Sequence, residues 1–224
     1  MHPLDNPVWA SLQSDHASLA VRAGQALRYP PDIAPFVAVA RDGISCDDAG
    51  RLVEAGELVC FVGHAPALSP AWKVHQSVTI AQMTRSTRLA VADGPRVIEL
   101  GETHLEDMLA LTALVYPHYF RRRTPEMGRY IGLYEDGRLA AMAGERMRFA
   151  GHTEISAVCT HPAHAGRGHA RRLVALLVNG ILATGRLAFL HVSHDNVRAK
   201  HLYERLGFAL RAEIALRVAT RGTD

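Results

Sequence analysis

Two short turns divide residues 129–160 into three strand-like segments. Asp136-Gly137 separates the first two segments, and Ala150-Gly151 separates the last two. Asp-Gly is a strong signal for a two-residue hairpin turn, and Ala-Gly is a weaker one. The stretch therefore predicts three antiparallel strands joined by two hairpins.

Segments with helical and strand periods flank these hairpins. Before them the pattern predicts a strand at 96–100, then a helix with Thr103 as N-cap and Glu106 three residues on, as in a capping box. After them it predicts a helix from about residue 168, a strand, a second helix and one or two final strands. The order β-α-β-β-β-α-β-α-β predicts an α/β protein with a mixed sheet covered by helices.

The stretch "ADGPR" at 92–96 is the best candidate for a domain boundary, because Gly-Pro disfavours both helix and strand. We expect an N-terminal α/β lobe over 1–94 and a second domain over 95–224. Within the first lobe the patterns predict helices at 6–20 and 46–56, and strands at 36–40, 57–64 and 72–85.

Composition excludes several classes of protein. Hydrophobic residues make up 48% and charged residues 21%, which suits a globular core. A net charge of +3 is too mild to predict a nucleic-acid partner. The three cysteines lack metal-ligand spacing, and the chain shows neither a signal peptide nor an apolar run that could span a bilayer. We expect a cytoplasmic protein with no membrane partner.

"AGRGHA" at 165–170 places Gly166 and Gly168 where the helix begins. The first turn of a helix carries unpaired N–H groups and partial positive charge, so this turn predicts an anion site that fits a pyrophosphate. The Walker and dinucleotide-binding patterns are both absent from it. The alternative is a tight strand-to-helix turn that binds nothing.

A second segment, "HVSHDNVRAKHLYERLGF" at 191–208, follows the turn. Together the two segments resemble the Gcn5-related N-acetyltransferase (GNAT) superfamily, and most closely its FR47-like branch. The family's first pattern, Q/R-x-x-G-x-G/A, is similar to 165–170, and Ala165 stands where Gln or Arg is usual. The second pattern, N-x-x-A-x-x-L-Y-x-x-x-G-F, is matched by Asn196, Ala199, Leu202, Tyr203, Gly207 and Phe208.

The resemblance covers residues 96–220 and implies transfer of an acetyl or longer acyl group from coenzyme A to an amine. Acetyl-CoA would be the co-substrate, and Ala165 implies that it binds more weakly than usual. The residues implied to contact it are Val158, Thr160, Gly166, Arg167, Gly168, His169, Ala170, Arg171 and Asn196.

The resemblance also implies two catalytic residues. Glu154 matches the general base and Tyr203 the proton donor to the thiolate. Strand alternation predicts that Glu154 shares one face with Ser156, Val158 and Thr160. Glu154 could instead form only an ion pair, with Glu145 as the reserve base, and Tyr203 could be plain core.

The acceptor is an unidentified amine on a small molecule or peptide. In the family, the loop after the first helix borders the acceptor site, so Tyr116, His118, Tyr119 and Arg121–Arg123 are candidates to shape it, although the three arginines could also form a solvated face. We predict no metal site, because the turn that carries His161, His164 and His169 lacks suitable geometry.

Two other functions remain open at this point: a non-catalytic CoA-binding regulatory protein, and a partner-binding module. The N-terminal lobe could cover the acceptor site, mediate a homodimer, or be a degenerate second copy of the fold.

Overall fold

The computed structural model describes residues 2–117 and 119–222. In this part of the chain the helices and strands are, in order, α1 (Pro7–Leu12), β1 (Val21–Ala23), β2 (Ala26–Arg28), β3 (Val37–Val39), α2 (Asp47–Gly50), β4 (Leu58–Val62), β5 (Trp72–Arg85), β6 (Ile98–Leu100), α3 (Leu105–Val115), β7 (Tyr130–Glu135), β8 (Arg138–Phe149), β9 (His152–Thr160), α4 (His169–Ala183), β10 (Leu187–Ser193), α5 (Val197–Arg205) and β11 (Ala209–Arg221). Short 3₁₀ turns connect several of them.

A mixed sheet dominates the molecule. Among the described strands, eight form it in the order β4-β11-β5-β10-β9-β8-β7-β6, while β1, β2 and β3 form a small separate sheet. The element order predicted from residue 96 onward is confirmed from β6 to β11. The two hairpins form at the predicted turns, where Asp136, Gly137 and Gly151 have φ of 52°, 74° and 72°.

Some boundaries differ from the prediction. Thr103 is not an N-cap, because it lies inside a 3₁₀ turn over Glu102–His104 and α3 begins only at Leu105. The His104 ring accepts a hydrogen bond from the Gly101 N–H and so replaces the predicted capping box. The helices near the N-terminus are only six and four residues long, and β1 and β2 were not predicted.

The predicted boundary at 94/95 does not separate two sheets. Strand β5, from the N-terminal stretch, lies between β10 and β11 and pairs antiparallel with both. Strand β4 pairs with β11 at the edge of the same sheet. The N-terminal residues therefore complete the main sheet, because β10 and β11 have no pairing with each other in the described part of the chain.

The two faces of the sheet carry different cores. On one face α4 and α5 pack against Ile155, Leu190 and neighbouring apolar residues. On the other face lie α3, α1 and the segment around Phe36. In residues 2–117 and 119–222, we find no helix long and apolar enough to cross a membrane.

A bulge in β9 changes which side chains share a face. Ala157 has φ of 50°, and the pairing with β8 shifts there. As a result Ile155 and Val158 pack together against the α4 side, whereas Ala157 and Cys159 pack on the α3 side. The prediction that Glu154 and Val158 share a face is therefore wrong, because the inserted residue reverses the alternation.

Strands β9 and β10 separate along their length. They pair in parallel at Leu187–His152, Ala188–Thr153 and Phe189–Glu154, where both strands begin. Beyond these pairs, the described strands diverge: β9 continues to pair only with β8, and β10 only with β5. A wedge-shaped opening therefore passes through the sheet, with Glu154 at its narrow end.

Candidate active site

A cleft of about 240 Å³ occupies this opening. Its walls come from both faces of the sheet, so it connects the α4–α5 side with the α3 side. Strands β9 and β10 contribute Ile155, Ser156, Ala157, Val158, Cys159, His191, Val192 and Ser193. Helix α5 and its N-cap contribute Asn196, Ala199 and Tyr203. The other strands, α3 and the connecting segments contribute Phe36, Val62, Ile80, Thr112, Val115, Tyr116, Tyr119, Phe120, Thr124, Tyr130, Arg146 and Leu216.

The glycine turn leads directly into α4. Gly166 and Gly168 have φ of 84° and 82°, a region that strongly favours glycine. A Cβ at either position would meet nothing within 4 Å, so backbone conformation rather than crowding requires glycine here. Gly168 is the N-cap of α4, and its first turn presents N–H groups without intrahelical partners.

Side chains around the turn converge on Glu135 at the end of β7. Its Oε2 lies 2.8 Å from Nη1 of Arg167, 2.9 Å from Nδ1 of His164 and 3.4 Å from Nε2 of His169. Both histidines are buried, whereas Arg171 is exposed. Arg167 is thus held by a carboxylate.

Helix α5 contributes Asn196 and Tyr203 to the cleft. The Asn196 side chain caps the helix, since its Oδ1 accepts a hydrogen bond from the Ala199 N–H at 3.1 Å. Tyr203 packs edge-on against Phe208, and its hydroxyl has no hydrogen bond to another described residue. Burial raises the pKa of Tyr203, so the phenol keeps its proton at neutral pH.

A buried ion pair closes the narrow end of the wedge. Glu154 is completely buried, and Arg146 donates to it from Nε to Oε2 at 2.7 Å and from Nη2 to Oε1 at 2.6 Å. Burial acts to raise the pKa of the Glu154 carboxyl, but the Arg146 charge and the hydrogen bonds lower it to about 2. Glu154 is therefore a carboxylate at neutral pH and a weak base.

His191 on β10 extends this pair into a network. Its Nδ1 lies 2.7 Å from Glu154 Oε1, and its Nε2 lies 3.0 Å from the amide nitrogen of Gln82. A glutamine amide nitrogen only donates, so Nε2 must be the acceptor and Nδ1 carries the proton that Glu154 accepts. The Gln82 oxygen in turn accepts from Arg211, which pairs with Asp5.

Neither predicted base lies in the cleft wall. Glu154 sits behind Arg146 and His191, which do line the cleft. Glu145 borders a separate small cavity with Arg148 and Arg186, where burial raises the pKa of its carboxyl. Cys159 lines the cleft, but burial raises the pKa of its thiol to about 12.

Aromatic side chains dominate the α3 side of the cleft. Tyr116 and Tyr119 line it and stack on each other with ring centroids 5.2 Å apart. His118, predicted beside them, lies outside the described residues. The three predicted arginines point elsewhere: Arg121 donates to the Pro31 carbonyl, Arg122 pairs with Glu106, and Arg123 pairs with Asp32 and Glu126.

A family model described as FR47-like protein matches residues 130–218. A solved structure described as a GNAT-family acetyltransferase, from Novosphingobium aromaticivorans, is 34% identical; the match covers 100% of both chains with a TM-score of 0.88. The chain belongs to the GNAT family. A GCN5-related N-acetyltransferase from Kribbella flavida shares the fold at 18% identity and a TM-score of 0.65, covering 100% of this chain and 97% of its own. No curated protein sequence matches the chain.

GNAT acetyltransferases use acetyl-CoA as co-substrate, and the residues present here fit that molecule. The α4 N-terminus, preceded by the two left-handed glycines, presents N–H groups that would fit a pyrophosphate. Beyond Glu154, the β9 edge that faces the opening is unpaired in the described part of the chain and can hydrogen-bond the amides of the pantetheine arm. Two residues of β9 were predicted to contact acetyl-CoA. Val158 lines the cleft, whereas Thr160 does not line it and pairs with Ala141 of β8.

Sequence reasoning missed cleft residues that come from distant segments. Arg146 and Phe36 belong to no motif, and their contact places the Arg146 guanidinium 4.8 Å from the Phe36 ring centroid. A usable signal existed for Arg146, because the hairpin turn at Ala150-Gly151 brings it close to Glu154 across two neighbouring strands. His191 stood inside the second motif segment but outside its defining positions.

Proposed function

We propose that this protein is an N-acyltransferase that transfers an acetyl group from acetyl-CoA to a primary amine bound in the cleft. The single observation that carries this proposal is the course of the cleft through the sheet. On one side it opens beside α5 and the β9 edge, and on the other it reaches the aromatic residues next to α3. Two reactants can meet in such an opening from opposite faces, which supplies proximity and orientation.

In the proposed reaction the amine nitrogen forms a bond to the acetyl carbon while the carbon–sulfur bond of the thioester breaks. We assign Tyr203 as the acid that gives a proton to the leaving sulfur and regains one from solvent. Its buried, protonated hydroxyl faces the cleft from the α5 side, where the sulfur would lie. A hydroxyl without another described partner is free to serve the leaving group.

We assign His191 as the group that takes the proton from the amine. A neutral imidazole nitrogen can accept a proton, and among the described residues that line the cleft His191 is the only histidine. Its Nε2 carries the lone pair, which must exchange its hydrogen bond from Gln82 for one from the amine before it takes the proton, and Glu154 fixes the ring through Nδ1. Glu154 then acts as a positioning residue rather than as the base.

The test is calorimetric titration of acetyl-CoA into wild type, Gly168→Trp and Gly185→Trp. Gly185 is a matched control, since it also has positive φ (73°) and open space but lies past the other end of α4. We expect saturable binding to wild type and the control, and a Kd raised at least about tenfold in Gly168→Trp, equivalent to ~1.4 kcal/mol.

Absence of binding to wild type would refute the proposed function. Binding without turnover of any amine would favour the second candidate, a non-catalytic CoA-binding protein, which the unusual Ala165 also suits.

A further inference from the structure

The α3 side of the cleft forms an aromatic chamber, which we define by Phe36, Tyr116, Tyr119, Phe120 and Tyr130. Among the described residues that line the cleft, none is a carboxylate, and the permanently charged group is Arg146. Such a wall favours an acceptor with an apolar carbon skeleton, and it offers no counter-ion to an acceptor that carries a second ammonium group. A polyamine acceptor is therefore disfavoured on charge.

Tyr130 supplies one unused polar group in this chamber. Its side chain is 2% exposed, and its hydroxyl is buried without a hydrogen-bond partner among the described residues. An unsatisfied buried donor costs free energy, so it marks a position where a ligand's acceptor atom would be stabilised. Gly144 makes room for this ring, because a Cβ at that position would overlap the Tyr130 ring carbons.

Arg146 supplies the second unused group. Glu154 takes its Nε and Nη2, whereas Nη1 has no hydrogen bond or ion pair among the described residues. The side chain is 17% exposed, and the guanidinium stacks over Phe36. Nη1 therefore keeps its N–H donors available to a ligand, on a cleft-lining side chain that cannot be deprotonated.

Both unused groups can donate a hydrogen bond, and their residues line a single cleft whose volume lies below the range typical of drug-sized ligands. We propose that the acceptor is a small amino-acid-like molecule, in which an aromatic or branched aliphatic skeleton carries both the reactive primary amine and a carboxylate held by Tyr130 and Arg146. This inference rests on the proposed acetyl transfer and names its substrate class.

The experiment compares acceptors that differ only by the carboxylate. Thiol release from acetyl-CoA is measured with phenylalanine against phenethylamine, leucine against isoamylamine, and valine against isobutylamine, at matched free-amine concentration. We expect at least one amino acid to exceed its decarboxylated partner by about 10- to 100-fold in kcat/KM, the range for hydrogen bonds to a charged group.

Tyr130→Phe is the decisive variant. It removes an unpartnered hydroxyl, so we expect equal or greater stability, and we expect the preference for the carboxylate to fall about tenfold through KM. Tyr134→Phe is the control, because that hydroxyl bonds Asp107 and does not line the cleft.

The outcomes separate the two proposals. Equal rates for both members of every pair, faster rates for the plain amines, or acetyl-CoA binding without turnover of any pair would overturn the substrate class while leaving cofactor binding intact. An unchanged preference in Tyr130→Phe would also overturn it. Failure of acetyl-CoA to bind would overturn the proposed function itself.

Discussion

The two parts of the proposed site are assembled in opposite ways. The proposed pyrophosphate site at the start of α4 consists of consecutive residues 165–170, and its chemistry would come mainly from backbone N–H groups. In the cleft, the aromatic chamber and the Arg146–Glu154–His191 network draw on segments from residue 36 to residue 191. Local backbone geometry is robust to side-chain change, whereas a site built from buried, interlocked side chains is not.

The largest effect that would test this comparison comes from breaking the buried ion pair. Arg146→Met leaves the Glu154 carboxylate buried without its cation, which costs about 3–5 kcal/mol of unfolding free energy. Combining it with Glu154→Gln removes the stranded charge and should restore most of the loss. Urea denaturation measures the unfolding free energy of both variants. An Arg146→Met protein as stable as wild type would show that the ion pair with Arg146 does not stabilise the buried Glu154 carboxylate.

The same pair predicts a dependence on acid. Because the pKa of Glu154 is lowered to about 2 in the folded protein, its stabilising contribution is complete above the ordinary carboxyl pKa and is lost as the pH falls toward 2. The Arg146→Met, Glu154→Gln protein should therefore lose less stability than wild type between about pH 5 and pH 2. Parallel losses in the two proteins would contradict the assignment.

Removing the proposed base tests the chemistry of the network. His191→Ala should lower kcat by roughly 10³-fold, within the range for general base catalysis. The Arg146–Glu154 pair remains, so the fold should persist. We expect added imidazole to restore part of the kcat of His191→Ala. If His191→Ala has nearly wild-type activity without imidazole, another acceptor, such as water, takes the proton from the amine.

Tyr203→Phe addresses the leaving group on the opposite side. We expect kcat to fall about 10²-fold with little change in the KM for acetyl-CoA, because only the hydroxyl is lost. Steady-state kinetics with the acceptor saturating separates the two constants. A change in KM alone would make Tyr203 a packing residue of the α5 core.

The smallest expected effect comes from the glycine turn at residues 165–170, where the backbone would supply most of the binding groups. Ala165→Arg restores a residue usual in the GNAT pattern and should tighten acetyl-CoA binding only about two- to fivefold, as expected for one exposed charge. Ala163→Arg, on the adjacent exposed turn, controls for net charge. The gain should shrink with added salt, and an equal gain in both variants would assign it to general electrostatics.

This contrast explains what the sequence could predict. The hairpins, α4, α5 and the glycine turn follow from short signals such as Asp136-Gly137 and Gly168, each of which acts on its own neighbours. The role of Glu154 depends on the bulge at Ala157 and on Arg146 across the strand, neither of which leaves a periodic trace. Phe36 enters the cleft only because the N-terminal segment packs on the sheet, which no local pattern encodes.

The position of β5 has a consequence for synthesis of the chain. This strand is made before its two neighbours, β10 and β11, which follow β6–β9 in the chain. Until they emerge, its exposed edges invite pairing with other chains. Contacts of such sequence separation also slow folding. The centre of the sheet can therefore close only after β10 and β11 have been made, so β5 lacks both of its sheet neighbours while β6–β9 are synthesised.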